Sequence, residues 1–233
     1  MSDPIQNAPA SELPLRLVIA KEGRSAYISH LDTMRTLQRA LSRADLTLKH
    51  TGGFHQRVFL SLVRPLSLGY ESDGELCDIV LAEPCPIETL PERLNAVLPE
   101  GLTVKSASEH AVNGREILWT RYELMLYLPE NGDTGVADAL RTLWLAPDFS
   151  VMKRNKKGVY QEAQVADSIR SLTITELPEL PALRMDAILR DGPDGSLNPA
   201  YLLTAAKEKL GFEPEYVKTR RKGFLNEKGE PVT

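Results

Sequence analysis

LRLVIAKEGRSAYISHLDTMRTLQRALSRA, residues 15–44, is the stretch whose reading decides the fold. Its first six residues, Leu15 to Ala20, form a short apolar run rich in branched side chains, the pattern of a buried strand. After a turn at Glu22 to Arg24, Ser29-x-x-Asp32 marks a helix start. The serine hydroxyl can cap a free N–H, and Asp stands where a capping box usually has Glu or Gln. Leu31, Met34, Leu37, Leu41 and Ala44 then recur at spacings of three and four, which predicts one apolar stripe facing a core.

Working outward, Val58 to Val63 reads as a strand, and the glycines at 69 and 74 mark a turn before another strand at Leu76 to Ala82. Thr89-x-x-Glu92 with Pro91 opens a second helix carrying Leu94, Val97 and Leu98, and Leu102 to Ala107 closes the unit as a strand. The order β-α-β-β-α-β is that of a ferredoxin-like fold. The second half repeats it in element order: a strand over Ile117 to Leu128, a helix over Asp133 to Leu143, strands at Phe149 to Lys153 and Leu183 to Leu189, a helix from Asn198-Pro199 to Gly211, and a short last strand near Glu215 to Lys218. The expected fold class is therefore α+β with two tandem ferredoxin-like halves. The expected boundaries are a disordered leader over 1–14, halves over 15–112 and 113–218, and a basic flexible tail over 219–233.

Composition narrows the class. Hydrophobic residues at 42% and charged residues at 26% are those of a globular chain, which excludes general disorder. The longest apolar runs are far shorter than a membrane span, and residues 1–14 lack the basic start and apolar core of a signal peptide. Cys77 and Cys85, eight apart, match neither a disulfide framework nor a metal-ligand spacing, so a reduced cytoplasmic setting is expected. Charge is segregated. Leu15 to Tyr70 holds nine basic residues against three acidic ones, net +6, while Glu71 to His110 holds nine acidic against two basic, net −7. Two further basic clusters follow, at Lys153 to Lys157 and Lys218 to Lys222. Such segregation fits either a face for an anion or two segments lying side by side.

The run Tyr27-Ile28-Ser29-His30-Leu31-Asp32, with Arg35 and then Arg39 to Ala44, carries a resemblance, continued by Gly53-Phe54, Leu66 to Gly69, Glu71 to Glu75, Asp78-Ile79, Leu94-Asn95 and Leu98 to Leu102. In these motifs the chain resembles the radical-SAM-linked family of bacterial proteins, over roughly Leu15 to Leu210. Members are similar in length and are encoded beside, or fused to, a radical-SAM protein with a cobalamin-binding domain, so the resemblance implies such a partner. The chain departs from the family pattern at His55 to Val58 and at Gln164 to Ala166. It lacks the three closely spaced cysteines of a radical-SAM cluster, so it does not host that cluster itself.

His30 is the first candidate site residue. It falls in the first helical turn, where free N–H groups and the positive end of the dipole favour anions, and Tyr27 lies three residues earlier. Arg35, Arg39 and Arg43 sit at i, i+4 and i+8, one face of planar donors suited to phosphate, though a solvated basic face has the same pattern. Arg57, Lys153 and Arg154 complete the candidate anion set, Lys153 to Gly158 reading as a basic hairpin turn. His30, His50 and His55 fall within 26 residues but match no ligand motif, so no metal and no cofactor are expected. The leading expectation is a non-catalytic accessory module presenting Tyr27, His30, Arg35, Arg39 and Arg57 to an anionic substrate, RNA, for a radical-SAM partner. The alternatives are a metal-independent ribonuclease using His30 with Tyr27, and a protein–protein adaptor docking through the acidic segment from Glu71 to Glu109.

Overall fold

A computed structural model of the chain describes residues 13–50, 58–83, 85–109, 114–130, 132, 135–154 and 158–233. They form an α and β protein with four α-helices and twelve strands among the described residues, divided into two compact units that meet in sequence at Gly114/Arg115.

In the first unit β1 (Leu13–Lys21) leads into α1 (His30–Arg43), β2 (Leu60–Leu62), β3 (Glu71–Leu81), α2 (Leu90–Asn95) and β4 (Leu102–Glu109). The strands lie in the order β4-β1-β3-β2, and every pair is antiparallel. Alternation in β1 sends Leu15, Leu17 and Ile19 into a core with Leu37 and Leu41 of α1 and Leu90 and Leu94 of α2. On the other face of β1, Arg16 and Ala20 are buried as well, with Pro14 and Val18 half-buried. Arg16 is 1% exposed and faces Asp78 directly across the ladder, with Nε donating to Oδ1 at 2.7 Å and Nη2 to Oδ2 at 3.1 Å. The basic and acidic segments thus meet as neighbouring strands at this point.

Two departures from the sequence reading concern this unit. Leu31, expected in the apolar stripe of α1, is 64% exposed, because Thr33, Leu37, Ala40 and Leu41 set the buried face. Gly74, expected in a turn, lies inside β3, where a Cβ would stand 3.1 Å from the Val18 side chain. Gly69, at φ +82°, makes the turn.

Polar side chains lock the ends of these elements. Ser29 caps α1 by accepting from the Asp32 N–H. Arg43 donates to the Val97 carbonyl just past α2, and Arg93 of α2 donates to the Ala44 and Asp45 carbonyls just past α1. Each helix thus supplies an arginine that holds the chain where it leaves the other helix. Asn95 uses both ends of its amide on Val104, donating Nδ2 to the carbonyl at 2.9 Å and accepting from the N–H at 2.8 Å. These bonds pair part of the outer edge of β4.

Cys77 lies opposite Leu17 in this core and is fully buried, and burial pushes its thiol up. Burial also raises half-buried Cys85, with Arg93 opposing. A native thiol titration should therefore give one reacting cysteine, Cys85, and the second only in denaturant; two fast equivalents would contradict the packing. The Cys77 contribution to stability is present below the unfolded thiol pKa of about 8.5 and is lost as pH rises above it.

The second unit contains β5 (Trp119–Tyr127), α3 (Val136–Trp144), β6 (Ser150–Arg154), β7 (Tyr160–Gln164), β8 (Ile169–Leu177), β9 (Ala182–Gly192), β10 (Gly195–Ser196), α4 (Pro199–Leu210), β11 (Tyr216–Leu225) and β12 (Pro231–Val232). Its sheet runs β8-β9-β5-β11, again antiparallel throughout, with β10 and β12 as short additions to β9 and β11. Leu124, Leu126, Leu183, Met185 and Leu189 fill the core with Leu140 and Trp144 of α3 and Leu202 of α4. Trp144 donates its indole N–H to the Leu202 carbonyl at 3.0 Å. The caps of α4 fall where expected: Asn198 accepts from the Ala200 N–H, Pro199 takes the first position, and Gly211 ends the helix at φ +67°.

Three sequence expectations change here. The strand at Phe149 to Lys153 is β6, which pairs with β7 as a separate two-stranded ribbon, and the fourth strand of the sheet is β8. The stretch read as a flexible tail over 219–233 continues β11 to Leu225 and adds β12. Thr219, Arg221, Phe224 and Leu225 are buried, and Arg221 lies over the Tyr122 and Phe224 rings at 5.9 and 5.0 Å. Leu13 and Pro14, placed in the leader, pair with Leu81 and Val80 in β1, while residues 1–12 lie outside the described residues.

Candidate anion-binding site

The first turn of α1 is approached by an irregular segment, a 3-10 turn over Gly23–Tyr27, that follows β1. This segment is held on three sides. Gly23 N–H donates to the Glu71 carboxylate at 3.1 Å, Ser25 Oγ donates to the Glu100 carbonyl at 2.9 Å, and Gly69 N–H donates to the Ala26 carbonyl at 2.9 Å. Gly101 is what allows the approach. It adopts φ +85°, its carbonyl accepts from the Glu22 N–H at 2.8 Å, and a Cβ there would collide with the Glu22 carbonyl and stand 2.8 Å from Ser25 Oγ.

On this footing stand the residues singled out in the sequence. Tyr27 is 62% exposed, with its ring 3.8 Å from the position a Cβ at Gly69 would take. His30 is the first residue of α1 and is half-buried, and its Nδ1 is enclosed with no hydrogen-bond partner among the described residues. Asp32 is exposed. Its carboxyl is held below the usual range, first by the Ser29 hydroxyl, which donates to it at 2.7 Å, and then by Arg35 at 3.2 Å. Arg35 and Arg39 both point into solvent along α1 and border a shallow groove with Gln38, Ser42 and Arg43. Arg43 differs from them, since its guanidinium is committed to the Val97 carbonyl.

Lys21 was not singled out in the sequence. It is 3% exposed at the end of β1 and donates to the Ile28 carbonyl at 3.0 Å, tying the strand to the approach to α1. Burial pulls its ammonium below the ordinary lysine range, with Glu75 acting the other way. The sequence signal was a lysine closing the apolar run Leu15 to Ala20.

A family described as an uncharacterised protein conserved in bacteria (DUF2344) matches residues 15–199 of the chain. The chain belongs to this family. No curated protein matches it.

In this DUF2344 chain the remaining candidates lie elsewhere. Lys153 and Arg154 are on β6 in the second unit, and both are engaged there. Lys153 donates to the Ser196 carbonyl at 2.6 Å and sits over the Tyr201 ring at 5.6 Å, and burial lowers its pKa; Arg154 donates to the Gly158 carbonyl at 3.0 Å. Arg57, with His55 and the Gly53-Phe54 motif, lies outside the described residues. His50 is exposed, and among the described residues no three histidine, cysteine or carboxylate side chains gather as a metal site would require. No helix among the described residues is long and apolar enough to cross a membrane. The acidic segment contributes few surface charges from β3, because Glu71, Glu75 and Asp78 are all buried.

Proposed function

We propose that the chain is a non-catalytic accessory module that binds an anionic substrate, RNA, and presents it to a partner radical-SAM enzyme supplying the chemistry. The observation that carries this reading is the row of exposed arginines Arg35 and Arg39 along α1, which borders a shallow groove with Gln38 and Ser42, Arg35 also pairing with Asp32. Guanidiniums offer phosphate a planar pair of donors, and a helix N-terminus adds free N–H groups. The radical-SAM partner rests on the motif resemblance from Tyr27 to Leu102. We further infer that each unit is a ferredoxin-like split β-α-β. The strand orders β4-β1-β3-β2 and β11-β5-β9-β8 are the same order, with the β6–β7 ribbon inserted into the second.

A filter-binding series at low salt tests the RNA part. The native chain should retain single-stranded RNA, and Arg35→Ala/Arg39→Ala should weaken retention about tenfold and flatten its salt dependence. Arg43 is left intact because its substitution also removes a helix contact. No retention at low salt would sink the RNA reading, and pull-down of the tagged chain from its own cytosol without a radical-SAM protein would sink the partner.

The enclosed, unpartnered Nδ1 of His30 favours a second reading, a ribonuclease with His30 as acid or base assisted by Tyr27. Products ending in 2′,3′-cyclic phosphate, lost in His30→Ala, would establish it. Intact RNA after prolonged incubation would exclude it.

A further inference from the structure

The two faces of the second unit's sheet differ. Even-numbered residues of β5 (Thr120, Tyr122, Leu124, Leu126) are buried in the core. The odd-numbered ones (Trp119, Arg121, Glu123, Met125, Tyr127) are exposed or half-buried. Cross-strand register carries that second face sideways. Arg121 lies opposite Ile188, Glu123 opposite Asp186 and Arg220, Met125 opposite Arg184 and Lys218, and Tyr127 opposite Tyr216. On β8, Ser171, Thr173 and Thr175 continue it as a row of exposed hydroxyls. The corresponding face in the first unit is closed, since Arg16, Ala20, Asp78 and Val80 are buried.

Two irregularities add charge to the open face. The register of β11 slips between Arg221 and Gly223, leaving Lys222 as the extra residue, and that of β8 slips between Ile169 and Ser171, leaving Arg170. A bulge re-aims the residue it inserts. Lys222 joins Arg121, Ser171, Thr173 and Arg184 around a hollow on this face. Arg170 comes to lie 5.6 Å from the centre of the Trp119 ring, where it donates to the Glu227 and Lys228 carbonyls, and Arg190 lies 5.3 Å from the same ring.

The face therefore carries six cations (Arg121, Arg184 and Arg190; Lys218, Arg220 and Lys222) and two carboxylates, Glu123 and Asp186, while Arg170 at its edge is committed to the Glu227 and Lys228 carbonyls. Both carboxylates are taken up by Arg184, at 3.0 and 2.9 Å. At the far end Tyr127 and Tyr216 lie with ring centres 5.8 Å apart, and Tyr216 is 50% exposed. From Trp119 to Tyr127 the strand spans about 26 Å, room for several nucleotides.

We propose that this open sheet face is a platform for single-stranded RNA. Arg121, Lys222 and Arg220 take backbone phosphates, and the tyrosine pair stacks unpaired bases. The serine and threonine hydroxyls of β8 bond the 2′-hydroxyls that distinguish RNA from DNA. A duplex has no unstacked base to give the tyrosines. The assignment rests on the RNA reading above, but it places the contact on residues unrelated to α1.

Fluorescence anisotropy of the full chain with a fluorescein-labelled, mixed-sequence ten-nucleotide RNA tests it. Arg121→Ser/Lys222→Ser should weaken binding at least tenfold and reduce the salt slope by about 1.4. Tyr216→Ala should weaken it at least fivefold with the salt slope unchanged. These side chains are exposed, so thermal midpoints should stay at the native value, and Arg121→Lys should keep most of the affinity. The platform is overturned if both sheet variants bind as the native chain does while Arg35→Ala/Arg39→Ala loses affinity, a result that leaves the α1 reading standing. Equal affinity for single-stranded DNA or for duplex RNA of the same length overturns the single-stranded RNA assignment. Absence of any binding by the native chain removes this proposal and the RNA part of the proposed function together.

Discussion

Asp78→Ala should destabilise the chain by about 3–5 kcal/mol, read as a drop in the urea midpoint with an unchanged slope. Arg16 lies at the centre of the first unit's sheet with 1% of its surface exposed, and both its Nε and Nη2 donate to the Asp78 carboxylate. Removing the carboxylate leaves a cation in a position where water does not replace the lost bonds. The loss is a large part of the total stability of an ordinary domain, about 5–15 kcal/mol. Arg16→Met/Asp78→Leu separates charge from packing. A buried pair replaced by apolar side chains of similar volume is often neutral or stabilising, so the double variant should recover most of the midpoint. A loss below about 1 kcal/mol in Asp78→Ala would show that the pair is better solvated than its burial indicates.

Gly101→Val comes next, at about 3–5 kcal/mol, combining the cost of a left-handed backbone for a branched residue with a backbone collision. The collision is with the Glu22 carbonyl, on the segment that supports Tyr27 and His30. This variant should therefore lose thermal stability and the geometry of the α1 approach at once. Gly69→Ala offers a contrast: it bears the strained φ of +82°, but its Cβ would meet only Tyr27, at an ordinary 3.8 Å. It should cost about 1–2 kcal/mol, the backbone contribution alone. Thermal melts of the two variants side by side check the ordering, and a smaller loss in Gly101→Val would reverse the assignment.

What was readable in the sequence was local. The capping of α1 by Ser29 and of α4 by Asn198, Pro199 and Gly211 involves residues within one turn of each other, so the motifs alone placed those ends. The continuation of β11 beyond Lys218 was not legible because Arg220, Arg221 and Lys222 look like a solvated run. In the fold, Arg221 is shielded by the rings of Tyr122 and Phe224, while Lys222 stands in a bulge and breaks the alternation. The β8 strand has only Leu172 and Ile174 buried among hydroxyl and charged residues, too weak an apolar signal to compete with β6. Charge counting erred in a comparable way. Of the nine cations in the +6 segment, Arg16 and Lys21 are buried and Arg43 holds a helix end. Only pairing across strands distant in sequence reveals which charges remain for a ligand.

The mutual capping by Arg43 and Arg93 carries a consequence for how the first unit opens. A helix of six residues such as α2 has too few internal hydrogen bonds to persist alone. The Val97 carbonyl just past its end is held by an arginine from α1, and the end of α1 is held in turn by an arginine from α2. Neither helix end frays without releasing the other. In native-state hydrogen exchange the closing turns of both helices should thus behave as one foldon, exchanging with a common opening free energy although some fifty residues separate them.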